Sequence, residues 1–207
     1  MARENLDQLR QLIAQKAAQM MAEDGINDFA YAKKKAGKQL GVSDNSVLPS
    51  NAEIEDEVRL YHNIYNADEQ PLELAKLRNA ALLTMQLFAK FNPHLTGSVL
   101  DGSAGKFAQT NIHLFADSAK DVEMFLLNQQ IPFDSSEKSY RLSDKPSKDK
   151  KDKVRKTVPV FTLETDLGLQ KLSVFEFDDL RIATKKTSDG SNAERMDIVE
   201  LKQLLST

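Results

Sequence analysis

An α+β fold, helical in its N-terminal half and followed by a small mixed or antiparallel sheet with flanking helices, is what three observations in the sequence predict. From residue 3 to about 91, apolar residues recur at three- and four-residue steps, the period of an α-helix. After Pro93 they fall into short β-branched or aromatic runs separated by Gly, Asp and Ser, the rhythm of strands. The chain has 207 residues, 41% hydrophobic and 29% charged, so it is long enough to bury a sizeable core and too mixed for a fibrous or low-complexity polymer. The change of texture divides it into a helical region, 1–91, and an α+β domain, 92–207.

The first helix rests on Leu6, Leu9, Ile13, Ala17 and Met20, a stripe that has to be buried. Phe29, Ala32, Ala36 and Leu40 stripe a second helix, with Lys33, Lys34, Lys35 and Lys38 mostly beside the stripe and Gly41 as its stop. Ser50 and Glu53 have the spacing of a capping box and open a third helix, whose apolar positions are Ile54, Val58, Tyr61, Ile64 and Tyr65. The stretch from Asn66 to Pro71 breaks it. Leu72, Leu74, Leu77, Ala81, Leu82, Met85, Leu87 and Phe88 mark a fourth, strongly apolar helix that ends before Asn92-Pro93, because a residue preceding proline avoids the helical region. Strands are expected at about 94–100, 110–116, 138–142, 158–164 and 169–177. A helix is expected from Ser118 to Gln129, capped by Asp117, with Val122, Phe125 and Leu126 inward, and a last one over about 193–205. Thr165-Asp166-Leu167-Gly168 reads as a hairpin turn, making the last two strands antiparallel neighbours.

Composition closes several chemistries. Cysteine is absent, so disulfide scaffolds, thiolate metal sites and cysteine nucleophiles are impossible, and three histidines do not make a His-rich metal cage. The Ser and Thr residues have no Asp and His partners ordered for an acyl-transfer triad. A net charge of −3 and a pI near 5.7 argue against a surface that coats nucleic acid as a whole. One local patch remains: from Lys145 to Lys156 there are seven Lys/Arg and two Asp, a solvated loop or a contact for a protein or RNA partner, with no aromatic interleaved. The N-terminus enters a charged amphipathic pattern without a signal peptide, and no run approaches the ~18 apolar residues of a membrane helix. A cytoplasmic protein with no membrane partner is the expectation.

The segment from Leu95 to Phe115 carries most of the chemical information. Gly97-Ser98 leads into a Gly- and Ser-rich loop containing Gly102 and Lys106, and the next strand begins near Gln109. Glycine lets backbone N–H groups and a serine hydroxyl come close to a phosphate; a hairpin loop using Gly for its turn geometry is the plainer alternative. The loop is not a Walker loop, since Leu100 and Asp101 stand where its first glycine is required and Phe107 follows where Ser or Thr would hold Mg²⁺. His113 lies two residues beyond Asn111 and on its strand face, either joining a polar site with Gln109 or hydrogen-bonded within the domain.

These residues resemble the DNA polymerase beta-type nucleotidyltransferase superfamily, whose signature is an apolar residue, Gly-Gly or Gly-Ser, a spacer, and then Asp-apolar-Asp/Glu on a strand. Here Gly97-Ser98, ten residues and then Gln109-Thr110-Asn111 follow that order. More narrowly, residues 97–130, with His113-Leu114-Phe115-Ala116-Asp117 and Glu123-Met124-Phe125-Leu126-Leu127, resemble a bacterial group of uncharacterised nucleotidyltransferase-like proteins of about this length with an N-terminal helical region. The resemblance implies transfer of a nucleoside monophosphate from an NTP, with Mg²⁺ as cofactor if the site is active. Gly97, Ser98, Gly102 and Lys106 would then hold the nucleotide.

Two Mg²⁺ ions stabilise the attacking and leaving oxygens in that chemistry, and they require anionic oxygen ligands. The sequence departs here. The two strand positions are the neutral amides Gln109 and Asn111, and the third falls on Lys171, Ser173 or Phe175, or on Glu176 if a bulge intervenes, with Asp178 close behind. Asp101 and Asp117 are further carboxylates available to a rearranged site. Two readings therefore stand: a nucleotidyltransferase that works with Asp178 and the degenerate pair, or a catalytically silent relative that binds or regulates a protein or RNA partner.

Overall fold

The computed structural model describes residues 2–42, 44–142, 155–166, 168–186 and 190–206. The basic run from Lys145 to Lys156 lies outside these residues except for Arg155 and Lys156. The chain folds into two compact units, one built from Met1–Leu74 with Ser103–Ala108, the other from Ala75–Gly102, Gln109–Lys186 and Gly190–Thr207.

In the first unit α1 (Ala2–Glu23) packs against α2 (Phe29–Gln39) and α3 (Asn51–Tyr65). Asp28 caps α2 by accepting from Tyr31 N, and Ser50 with Glu53 forms the expected capping box on α3. Ile13, Ala14, Ala17, Met20, Ala32, Ala36 and Ile54 make one buried cluster, so small alanines facing one another allow the helices to approach closely. The apolar stripes are shorter than the sequence pattern suggested: Leu6 is 50% exposed, Leu40 40%, Ile64 60% and Tyr65 68%. At the end of α3, His62 is buried and its Nδ1 accepts from Asn66 Nδ2 at 3.1 Å. Its ring lies over Gly105, where a Cβ would come within 2.6 Å of the imidazole Cε1, so the Ser103–Ala108 loop requires glycine at that point for space.

The second unit holds β1 (His94–Thr96), β2 (Thr110–Ala116), β3 (Asp134–Arg141), β4 (Arg155–Thr165) and β5 (Gly168–Glu176) as one mixed sheet in the order β1-β2-β5-β4-β3. β2 and β5 run parallel and the other neighbours antiparallel. Thr165 pairs with Gly168 across the turn, as the hairpin signal required. Ile112, Leu114, Leu172, Val174, Phe161 and Leu163 are buried along the sheet. α6 (Ala119–Asn128) packs on β2 and β5 with Val122 and Leu126 buried, and Phe125 meets the rings of Phe88 at 5.2 Å and Phe91 at 5.6 Å. α4 (Gln70–Leu87) carries apolar residues on more than one side: Leu77, Ala80, Ala81 and Met85 are buried while Leu72, Leu83 and Leu87 are exposed.

Several boundaries differ from the sequence reading. The strand expected over 94–100 stops at Thr96, because Gly97 turns the chain into a short helix, α5 (Ser98–Asp101). β3 and β4 reach further than their apolar runs: Asp134–Arg141 is a polar edge strand whose register with β4, not its composition, makes it a strand. The last helix, α7 (Ile198–Leu205), begins at an Asp197 capping box, and the residues before it instead form a bridge between Leu95 and Met196. Asp117 does not cap α6; Ser118 does, accepting from Lys120 N.

Candidate functional site

The site begins at Gly97. Its φ of 79° and ψ of −157° place it in a backbone region open essentially to glycine alone, so any side chain would strain the turn that ends β1. The space for a Cβ is merely ordinary, with Asn111 Nδ2 3.5 Å away, and the requirement is therefore conformational. Arg78 on α4 holds the following turn, its Nε donating to Val99 O and its Nη2 to Leu100 O, both at 3.0 Å. Burial holds the Arg78 guanidinium below its ordinary pKa, and the charge of Asp101 partly offsets this. We expect Gly97→Ala to destabilise the second unit by about 1–3 kcal/mol, read as a lower urea midpoint with an unchanged slope.

Register then decides which side chains share a face. One row across the sheet runs Thr96, Asn111, Lys171, Thr162, Asp134, and the next runs His94, His113, Ser173, Val160, Ser136. Rows two residues apart lie on the same face. The following positions on it are Phe115, Phe175, Val158 and Lys138; there Phe115, Val158 and Phe175 close into a small core with Tyr140 and Leu180. One end of the face is thus sealed by aromatic rings. At the other end Asn111, Lys171 and Thr162 are half-buried; Ser136, in the middle row, and Lys138, beside the aromatic end, are exposed at the β3 edge.

The residues expected to form a site separate into two groups. Gly97, Ser98, Asn111 and Lys171 are brought to one end of the sheet: Thr96 pairs with Asn111, and Asn111 with Lys171. Gln109 stands just before β2, and its carbonyl accepts from Asn111 Nδ2 at 3.3 Å, which turns the amide NH₂ back on the chain. Asp178 is not brought there. It is exposed in the 3₁₀ turn Phe177–Arg181, beyond the far end of β5, and the five strand steps from Lys171 to Glu176 alone span about 16 Å. Glu176 is engaged elsewhere, 3.0 Å from Lys156, which also reaches the buried Asp179 at 2.6 Å. Gly102 ends α5 in the second unit, whereas Lys106 belongs to the first, its Nζ lying over the Phe107 ring.

The face is aromatic and buried around His113 and carries lysines towards its open side. His113 is 2% exposed, clasped by Phe175 at 4.6 Å and Tyr140 at 5.3 Å, and its Nδ1 has no hydrogen-bond partner among the described residues. Burial first, and then the charges at Arg195, Lys138 and His94, push its pKa down to about 3, so it is a neutral imidazole at pH 7. The half-buried, hydrogen-bonded histidine of the sequence reading is therefore buried outright and unpaired at Nδ1. Burial and, second, the like charge of Lys138 hold Lys171 below the ordinary lysine value. Ser173 Oγ and Tyr140 Oη share a hydrogen bond of 2.7 Å beside it. Lys138 and Tyr140 escaped sequence reasoning because their place on this face depends on the β3–β4 register.

Mg²⁺ does not fit these residues. It needs hard anionic oxygens, and the positions that would supply them hold two neutral amides with an ammonium group directly across from Asn111. Among the described residues no group of three or more His, Asp or Glu is placed to hold a metal ion. No helix among them is long and apolar enough to cross a membrane. No family model, no curated protein and no solved structure matches the chain.

Proposed function

We propose that the chain is a nucleotidyltransferase-like protein that has lost metal-dependent transfer and acts as a nucleotide-binding or regulatory module. The observation that carries this reading is the pairing of Asn111 with Lys171, beside the Gly97 turn, on the half-open end of the sheet. Gly97-Ser98 leaving a strand, an i, i+2 polar pair entering the next one and a third strand parallel to it follow the order of the superfamily that the sequence resembles. A cation at the third position, with amides at the other two, opposes a divalent metal by Coulomb repulsion and supplies no charge to hold it. An enzyme using Asp178 is disfavoured by where that residue lies.

The reading predicts that Gln109→Asp, Asn111→Asp and Lys171→Asp together create Mg²⁺-dependent ATP binding that the parent chain lacks, measured by calorimetry with and without chelator. Release of pyrophosphate from an NTP by the parent chain in Mg²⁺, abolished by Asn111→Ala, would contradict it. The basic run between Lys145 and Lys156 suits a protein or RNA partner of such a module on its charge alone.

A further inference from the structure

We infer that the sheet face around Lys171 and Lys138 is a metal-independent oxyanion site that takes a polyphosphate, its two ammonium groups standing in for divalent cations. The inference deepens the nucleotide-binding reading where the ligand is an NTP, but the oxyanion itself rests on these residues alone.

Lys171 and Lys138 rise from the same face on β5 and β3; the Lys138 ammonium lies over the Tyr140 ring, 4.8 Å from its centroid, and that ring's hydroxyl reaches Ser173, one position on from Lys171 along the face, at 2.7 Å, so both charges border the same hydroxyls. Neither forms an ion pair among the described residues. The nearest acidic positions by register are Asp134, beyond Thr162 in the row of Lys171, and Glu164, diagonal to it; both are exposed, and neither is bonded to a lysine here. Hydroxyls surround the pair: Thr162 directly across from Lys171, and Ser173 with Tyr140, whose shared hydrogen bond uses one of their two protons and leaves the other to donate. His113 adds the second observation. It is a buried imidazole on the same face with an unpartnered Nδ1, and the charges that bear on it, at Arg195, Lys138 and His94, are all basic. A buried polar atom without a hydrogen-bond partner needs an explanation, and on this face a bound ligand would supply one. Lysines binding as point charges, with hydroxyl donors and no carboxylate among the ligating groups, suit phosphate oxygens and not a carbohydrate or an apolar ligand.

Inorganic triphosphate is the direct probe, titrated calorimetrically into the full chain in EDTA. The expected result is saturable binding that weakens about tenfold with Lys171→Met and about tenfold with Lys138→Glu, the loss anticipated for one charge-assisted contact. Lys34→Glu, on α2 of the first unit, makes the same charge change elsewhere and should leave it as in the parent. Excess Mg²⁺ should weaken binding, since it neutralises the ligand. Lys138 is exposed, so its variant tests the site even if Lys171→Met lowers stability. No binding in EDTA, a requirement for Mg²⁺, or equal weakening by Lys34→Glu would each overturn the inference. If triphosphate binds as expected but ATP binds no better, the oxyanion site stands and the nucleotide reading fails. If ATP binds in chelator but triphosphate does not, the oxyanion site fails and the nucleotide reading stands; ATP binding solely with Mg²⁺ overturns both.

Discussion

Lowering the pH from about 6.5 towards 3 is expected to destabilise the sheet unit steeply, and His113→Leu to remove much of that slope. The native imidazole titrates near 3 because it is buried among aromatic rings and basic groups, whereas an unfolded histidine titrates near 6.5. Between those values the unfolded chain binds a proton that the native chain does not, so stability rises with pH there. The contribution is fully present above about 6.5 and lost as pH falls through the window. At about 1.4 kcal/mol per unit the upper limit is on the order of 5 kcal/mol. Carboxylates that accept hydrogen bonds, among them Asp44 and Glu53, also have lowered pKa values and add an acid dependence of the same sign. The difference between parent and variant isolates the histidine. Urea midpoints from pH 4 to 7 should show close to one proton less in the slope for His113→Leu, with neutral stability nearly retained, since Nδ1 has no partner to lose. Identical slopes would mean that the native ring is protonated within this range.

Phe88→Ala should cost about 3–5 kcal/mol, the range for emptying a buried aromatic position. Phe88 is 0% exposed and meets Phe125 edge-on at 5.2 Å with Phe91 at 6.3 Å, so its loss leaves a cavity bounded by rings that α6 and the turn Ala89–Phe91 hold in place. Neighbours fixed on separate elements collapse poorly into a void. Leu87→Ala, one residue earlier and 46% exposed, should cost less than about 1 kcal/mol, and denaturant titration of the two variants reads the contrast directly.

The helices of the first unit were legible because each rests on local signals: the Ser50–Glu53 box, the Gly41 stop and alanines at helical spacing. The ends of their stripes were not, since exposure of Leu6 or Tyr65 is decided by where a partner helix stops. β2 and β5 were legible as apolar runs, and the hairpin by its Gly168 turn. β3 was seen only in part, because Asp134–Arg141 is stabilised by pairing to β4 and by ring contacts of Tyr140, not by burial of its own apolar residues. The candidate site divides in the same way. Gly97, Gln109 and Asn111 come from one stretch of sequence, so their proximity was readable. Lys171 was one of several possible third positions until the parallel register with β2 placed it opposite Asn111. Lys138 enters from the far strand of the β3–β4 pair, a long-range fact that spacing does not encode.

Calorimetric titration of the unmodified chain with ATP, GTP, CTP and UTP, each in Mg²⁺ and in chelator, tests the central claim most directly. If Asn111 and Lys171 replace metal ligands as proposed, binding persists in chelator and is weakened by Mg²⁺. Heat of binding in Mg²⁺ that vanishes in chelator, followed by release of pyrophosphate, would contradict it and restore a metal-dependent transferase.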